Sequence, residues 1–280
     1  MKALPKLGII AGGGTAPRSL IDICRKQGRE FFVFCLEGQA DRDLGAGVPH
    51  AWLPLGAGAK LKAIAAEQKV AEVIMIGKVR RPSLKEIRPD WLALKVITKI
   101  GITSLGDDGL LRAIGKVIEE EGGVRVIGAQ DVFADLLTPE GELTTATPDD
   151  MAQKDIQRGI EIAQALGRLD IGQAVVVQQG MVLGVEAIEG TDVLIERTAS
   201  LRREGPGGVL VKLAKPQQDN RFDLPTAGPD TVERMKQAGL RGLAIQAGRS
   251  LLVERQKTVA MADEAGIFII GLTLDASSHV

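Results

Sequence analysis

The sequence predicts an α/β protein in two domains: a Rossmann-like layer over residues 1–132, a linker over 133–148 and a mixed α/β layer over 149–280. Three observations carry this. Short apolar runs rich in Val, Ile and Leu alternate with longer amphipathic stretches, the pattern of buried strands and the helices that cover them. The first run, LGIIA at 7–11, leads into Gly12-Gly13-Gly14-Thr15 and then a helix-like stretch. Around 138–148 the chain turns polar and turn-rich, with Thr138-Pro139, Gly141 and Thr147-Pro148, as a linker should.

In the first half, Ala16-Pro17 opens a helix that runs to Lys26 and stops at Gly28, since Pro suits a first turn and Gly a C-cap. FFVFCL at 31–36 and VPHAWLPL at 48–55 read as strands, 57–69 as a helix, and VIMIGK at 73–78 as a strand ending on Lys78. A lysine at the carboxyl end of a strand stands where open α/β sheets bind ligands. Residues 90–101 form a helix. Asp107 or Asp108 caps the next one, to about Glu120, and the second aspartate, Asp108, is left over to reach a sugar or a metal. VRVIG at 124–128 closes the series as a strand.

The order strand, glycine loop, helix, strand presents backbone amides to a phosphate, which makes Gly12, Gly13 and Gly14 candidate binding residues. The dinucleotide fingerprint requires a third glycine where Pro17 stands, so an NAD-dependent oxidoreductase is disfavoured but stays open.

In the second half, Asp149 and Asp150 cap a helix over 151–166 that Gly167 stops. QAVVVQQGMVLGVEAI is a hairpin around Gln179-Gly180, GTDVLIERTASLR a helix and GVLVKLA a strand. Asp230 and Glu233 make a capping box for a helix ending at Ala238-Gly239. A strand at 243–246, a helix at 255–265 and a strand at 267–272 finish the chain.

Composition narrows the function. The 280 residues are 45% hydrophobic and 25% charged, a globular balance. A net charge of -1, with 3% aromatics and no Tyr, removes the electrostatic and stacking signatures of a nucleic-acid binder. The two histidines, His50 and His279, make a Ser-His-Asp triad or a His-rich metal site hard to assemble. Cys24 and Cys35 read as core thiols of a reducing compartment. With no signal-like start and no membrane-length apolar run, a cytoplasmic protein is expected.

Charge is concentrated in residues 182–226, which hold Glu186, Glu189, Thr191, Asp192, Arg197, Lys212, Lys215, Gln218, Asp219, Arg221 and Asp223. Glu186 and Lys212 lie beside or inside runs that read as buried strands, where an isolated charge is costly. A structural ion pair is one explanation. So many charges of both signs favour a site instead, and one suited to phosphoric anhydrides: cations neutralise phosphate oxygens while carboxylates hold a metal ion or orient water. If Gly190-Thr191-Asp192 opens a helix, its amides and the Thr191 hydroxyl face an anion; a plain Thr/Asp N-cap also explains them, and both can hold at once.

Four runs in this half carry a resemblance: Asp170-Ile-Gly-Gln173, Val185-Glu-Ala-Ile-Glu-Gly-Thr-Asp192, Val211-Lys212 with Lys215-Pro216, and Gln218-Asp219-Asn-Arg221-Phe-Asp223-Leu-Pro225. Together with the Gly8-Ile-Ile-Ala-Gly12 loop they resemble the LpxI-type UDP-2,3-diacylglucosamine pyrophosphatases over nearly the whole chain. The resemblance implies a Mg²⁺-assisted hydrolase of lipid A biosynthesis that cleaves UDP-2,3-diacylglucosamine to UMP and 2,3-diacylglucosamine 1-phosphate (lipid X), with water directed at the β phosphorus. It ties catalysis most closely to Asp223. With Asp223, Lys212 and Glu186 are expected to be catalytic, and Asp223 with Asp219 to hold the metal. Gly12, Gly13, Gly14, Lys78, Asp108, Thr191, Asp192, Lys215 and Arg221 are expected to bind substrate. Transient contact with the inner membrane surface of a Gram-negative bacterium, and a homodimer, are compatible with this reading. An acylated substrate needs an apolar groove, for which the stripes in Leu92–Leu105 and Val193–Leu201 compete with plain core packing. A non-catalytic nucleotide-sugar or lipid sensor is the remaining alternative.

Overall fold

The computed structural model describes residues 4–80, 89–100, 107–132, 136–216, 219, 221–222 and 224–274. The chain divides into two compact units. The first comprises Met1–Ala134 together with Asp219–Asp223, and the second comprises Asp135–Gln218 and Leu224–Val280.

The first unit is built on strands β1 (Leu7–Ala11), β2 (Phe31–Leu36), β3 (His50–Leu53), β4 (Glu72–Ile76) and β5 (Arg125–Val126). They form one sheet in the order β3-β2-β1-β4-β5, parallel throughout. The order reverses between β1 and β4. Its helices are α1 (Thr15–Gln27), α2 (Gly58–Glu67), α3 (Trp91–Ile100), α4 (Asp107–Gly122) and the short α5 (Ala129–Val132). Gly28 ends α1 in the left-handed conformation, as expected of a C-cap glycine. The core collects Ile10, Phe32, Phe34, Leu53, Ala65, Val70 and Val73 under Ile64 and Ile118. At its margin the enclosed Arg29 donates to Glu72 at 2.6 Å and to the Pro5 carbonyl at 3.1 Å.

The second unit contains β6 (Gly141–Glu142), α6 (Asp150–Arg168), β7 (Ala174–Gln178), β8 (Met181–Val185), α7 (Gly190–Thr198), β9 (Val209–Lys212), β10 (Thr226–Ala227), α8 (Pro229–Gln237), β11 (Gly242–Gln246), β12 (Leu251–Leu252), α9 (Arg255–Glu264) and β13 (Phe268–Leu272). A six-stranded mixed sheet runs β6-β13-β11-β9-β7-β8, and β10 pairs with β12 separately. Alternation along the strands sorts side chains onto two faces. Val175, Val177, Val209, Val211 and Ala244 meet Ala152, Ile156 and Ala163 of α6. Ala174, Val176, Leu210, Leu243 and Ile245 meet Leu194 and Ile195 of α7, Val232 and Met235 of α8, and Ala262 of α9. The result is a three-layer α/β/α unit.

The hairpin of β7 and β8 turns at Gln179 and Gly180, both at positive φ (53° and 75°), the conformation that matches strand twist. The buried Asp155 of α6 holds this turn, accepting the Gln179 N–H at 3.0 Å and the Gly180 N–H at 2.6 Å. The pairing of β7 with β8 slips by a residue between Val176 and Val177, a bulge on the strand that borders the sheet.

Three local readings are corrected. Gly167 does not stop α6: it lies inside the helix, which caps at Leu169, and its bare Cα lets the helix approach Lys215 and Pro216. The cap of α8 is not Asp230 with Glu233. It is Gly228, whose N–H donates to Thr231 Oγ1 at 3.2 Å. Part of the stretch expected as linker is structured, since Gly141 and Glu142 form β6 and pair antiparallel with β13.

Candidate active site

In the second unit, strand register assembles the charged groups. Glu186, one residue beyond β8, bonds through its N–H to the Ala174 carbonyl at 2.8 Å, and Ala174 pairs with Lys212 across β7 and β9. Glu186, Ala174 and Lys212 therefore form one row across three strands. Adjacent strands are about 4.8 Å apart, so the two charged residues stand roughly 10 Å from each other at the backbone. Lys212 shares its face with Leu210 and is register-paired with Ile245, which puts its stem on the α7–α9 side.

Both charges are enclosed, with Glu186 6% and Lys212 4% exposed. Burial on that scale requires partners. Glu186 accepts the Thr191 hydroxyl at 2.7 Å on one oxygen and the Gln173 N–H at 2.9 Å on the other. Thr191 is the second residue of α7, so the helix start and the carboxylate are tied together. Lys212 Nζ donates to the Thr226 carbonyl at 2.9 Å, at the beginning of β10. Lys215 follows three residues later and pairs with Asp170 at 2.6 Å. Asp192, in the first turn of α7, lies 3.9 Å from Arg234 of α8, which also bonds Glu196. Glu189 accepts from Arg197 at 2.9 Å, and Arg197 also bonds the Val185 carbonyl. Burial pushes Glu189 upward, but its own amide, Arg197 and the Ala187 N–H outweigh that and hold it below its ordinary value.

In the first unit, the glycine loop has a different explanation from a free phosphate cradle. The Gly12 N–H donates to the Ile76 carbonyl and the Gly13 N–H to the Lys78 carbonyl, each at 2.9 Å, while the Lys78 N–H returns to the Gly13 carbonyl at 2.8 Å. The glycines are required because two backbones touch: a Cβ on Gly12 would stand 2.4 Å from the Lys78 oxygen, and one on Gly13 2.7 Å from the Gln39 oxygen. Two of the expected amides are thus already engaged. Gly14, at φ 89°, begins the turn into α1. The Lys78 side chain is exposed.

Asp219 and Arg221 belong to this unit and to each other. Arg221 Nε lies 3.1 and 3.2 Å from the two Asp219 oxygens, Nη2 lies 2.8 Å from Oδ2, and the Arg221 N–H donates to Oδ1 at 3.0 Å. Arg221 also reaches Glu119 of α4 at 3.5 Å and stacks 5.0 Å over Phe222. Phe222 occupies the space that a side chain at Gly115 of α4 would fill. The hydrogen bonds from Arg221 hold the Asp219 carboxyl below the usual carboxylate range against the upward push of burial, and Asp219 in turn raises Arg221.

The candidates therefore fall into two sets, Glu186, Thr191, Asp192, Lys212 and Lys215 in one unit and Gly12–Gly14, Lys78, Asp219 and Arg221 in the other. Asp223 and the side chain of Asp108 lie outside the described residues. Among the described residues no group of three or more His, Cys, Asp or Glu side chains could hold a metal ion. Asp219, expected as a ligand, has both oxygens engaged by Arg221, so this carboxylate does not fit as a Mg²⁺ ligand in this arrangement. Of the apolar stripes, Leu92, Leu194 and Ile195 are core, whereas Leu94, Val193 and Leu201 are exposed. Among the described residues no helix is long and apolar enough to cross a membrane. Asp170, Gln173, Gln246 and Arg234 were not singled out as site residues by the sequence. The only hint of them was the run Asp170–Gln173.

Comparison with known proteins covers both halves. The model of the LpxI N-terminal domain matches residues 6–136 and that of the LpxI C-terminal domain residues 139–270. The chain is 40% identical over 275 residues to the UDP-2,3-diacylglucosamine pyrophosphatase LpxI of Caulobacter vibrioides, covering 95% of this chain and 97% of that protein. Among solved structures, the Bordetella bronchiseptica enzyme WbmG with NAD and UDP aligns at 14% identity and a TM-score of 0.35, covering 96% of this chain and 82% of that one. Carboxyaminoimidazole ribonucleotide synthase of Aspergillus clavatus with ATP aligns at 15% and 0.23, covering 70% and 44%. Matched by both domain models and by a full-length relative, the chain belongs to the LpxI family.

Proposed function

We propose that this protein hydrolyses the pyrophosphate bond of UDP-2,3-diacylglucosamine, releasing UMP and 2,3-diacylglucosamine 1-phosphate for lipid A biosynthesis. The name of the Caulobacter relative and the length of its alignment support the substrate. The observation in the fold that carries the reading is the row Glu186–Ala174–Lys212, an enclosed acid and an enclosed ammonium set by strand register and braced by the start of α7.

On this reading Lys212, Lys215 and Arg221 neutralise phosphate oxygens, where fixed cations stabilise the charge that develops on the leaving group. Thr191 and Asp192 bind at the head of α7, Glu186 holds the Thr191 hydroxyl in place, and Gly14, Lys78 and Asp108 serve the nucleotide-sugar. Gly12 and Gly13 support that loop by backbone contact. Asp223 orients the attacking water and accepts its proton. The water oxygen bonds to the β phosphorus, the bond to the bridging oxygen breaks, and UMP departs with that oxygen. Bound Mg²⁺ would supply charge neutralisation, with Asp223 and phosphate oxygens as its ligands, because Mg²⁺ commonly takes only one or two carboxylates beside substrate phosphate.

The reversal of strand order between β1 and β4 supports residues 1–132 as a Rossmann-like nucleotide-sugar layer, with 133–148 as linker and 149–280 as the catalytic part. The acylated product ties the reaction to the inner membrane surface, reached from the cytoplasm, and a homodimer is compatible with it.

The test is Asp223→Ala. It should retain substrate while losing UMP release, because the acyl and phosphate contacts survive. Wild-type turnover in that variant would contradict the assignment. Binding without UMP release by the native protein would instead identify a sensor.

A further inference from the structure

The turn between α6 and β7, residues 170–173, grips two charged groups at once. Asp170 adopts φ 54°, the left-handed region that costs least for Asn and Asp among non-glycine residues. From there its Oδ1 lies 2.6 Å from Lys215 Nζ, with the two side chains 24% and 10% exposed. Two residues on, Gly172 lies so close to Glu186 that a Cβ would stand 2.1 Å from the Glu186 carbonyl oxygen. Gln173 then donates its N–H to Glu186 Oε2 at 2.9 Å and accepts the Leu213 N–H at 2.9 Å. Four consecutive residues thus fix Glu186 at one end and Lys215 at the other. Lys215 is also held through its main chain, since the enclosed Gln246 accepts the neighbouring Ala214 N–H at 3.0 Å and Gly167 lets α6 close on the Lys215 Cα. An ion pair this enclosed adds little net stability, because desolvation offsets much of the attraction. Its effect is to hold an ammonium at one place.

We infer that Asp170 is a positioning residue of the hydrolytic site, acting through Lys215 to set the ammonium that receives a substrate phosphate. The inference rests on the reading of Lys215 as a phosphate-binding cation.

The experiment is steady-state hydrolysis of UDP-2,3-diacylglucosamine by Asp170→Asn, Lys215→Met and the double variant. Asn keeps the left-handed turn and removes only the charge. D170N should lower kcat/KM about ten- to a hundredfold, mostly through KM, as expected for a lost charge-assisted contact that acts on binding. K215M should fall at least as far. The double variant should be no worse than K215M, because Asp170 then has nothing to act on. Wild-type kinetics in D170N beside a crippled K215M overturns the inference and leaves the site reading standing. Full activity in K215M removes that reading, and the inference with it. A double variant worse than K215M by the whole D170N factor shows that Asp170 acts independently, which also overturns it. Should D170N melt far below the native protein, Lys215→Arg takes its place. It keeps the ion pair but moves the cation, so a raised KM with unchanged melting supports positioning, and native KM overturns it.

Discussion

Asp219 takes four contacts from Arg221, and that fixes how its charge contributes to stability. Its folded value lies below the ordinary one, about 3.9 for an unfolded Asp. A depressed acid stabilises fully above its unfolded value, and the contribution disappears as pH falls through the folded value. Asp219→Asn should therefore melt below the native protein at pH 7 and converge with it on acidification. Parallel melting curves from pH 7 to pH 2 would exclude the pairing. Single residues were unequally legible in the sequence. Glu186 and Lys212 stood out because charge beside buried strands needs a reason. Asp170 appeared only within the run that carries the family resemblance, because nothing in an acid just after a helix points to a partner 45 residues away. Arg234 sits on a helix that looks solvated, and only the fold brings it to Asp192 and Glu196.

Helix α6 lies on the sheet through a glycine. A Cβ at Gly159 would stand 2.4 Å from Val211 Cγ2, in the middle of a buried strand. Gly159→Val should destabilise by about 2–3 kcal/mol through overpacking, measured by urea unfolding at constant slope. A neutral result would mean that the helix rides higher than described. Most elements were legible because their periodicity is local: β1 and β2 match their expected limits, and α1, α7, α9, β11 and β13 lie within a few residues of theirs. The two-residue strands β6, β10 and β12 were not, since pairing partners distant in sequence define them and no longer apolar run marks them, as VRVIG marks the equally short β5. Gly167 misled for a related reason. Its glycine answers to Lys215 and Pro216 across the packing, not to the end of its own helix.

At the scale of the whole chain, two α/β domains were foreseen from the alternation of strands and helices; the first unit has one such core and the second has one on each face of its sheet. What no linear reading reveals is that residues 219–223 group with the first unit, far from it in sequence, through Arg221 on Glu119 and Phe222 on Gly115. The metal question also belongs here. With Asp223 and substrate phosphate as its proposed ligands, Mg²⁺ would arrive with substrate and not hold the fold. EDTA should then abolish UMP release while shifting the melting temperature of the free protein by less than about 2 °C, a shift worth no more than about 1 kcal/mol for a chain of this size. A large drop in melting temperature would reveal a structural ion instead. One more property follows from the slipped register of β8. A border strand with Met181 and Val182 facing water would ordinarily invite copies to stack rung upon rung. The extra residue breaks the even spacing such stacking needs, and Arg197 occupies the Val185 oxygen, so concentrated protein should stay dispersed instead of growing into fibrils.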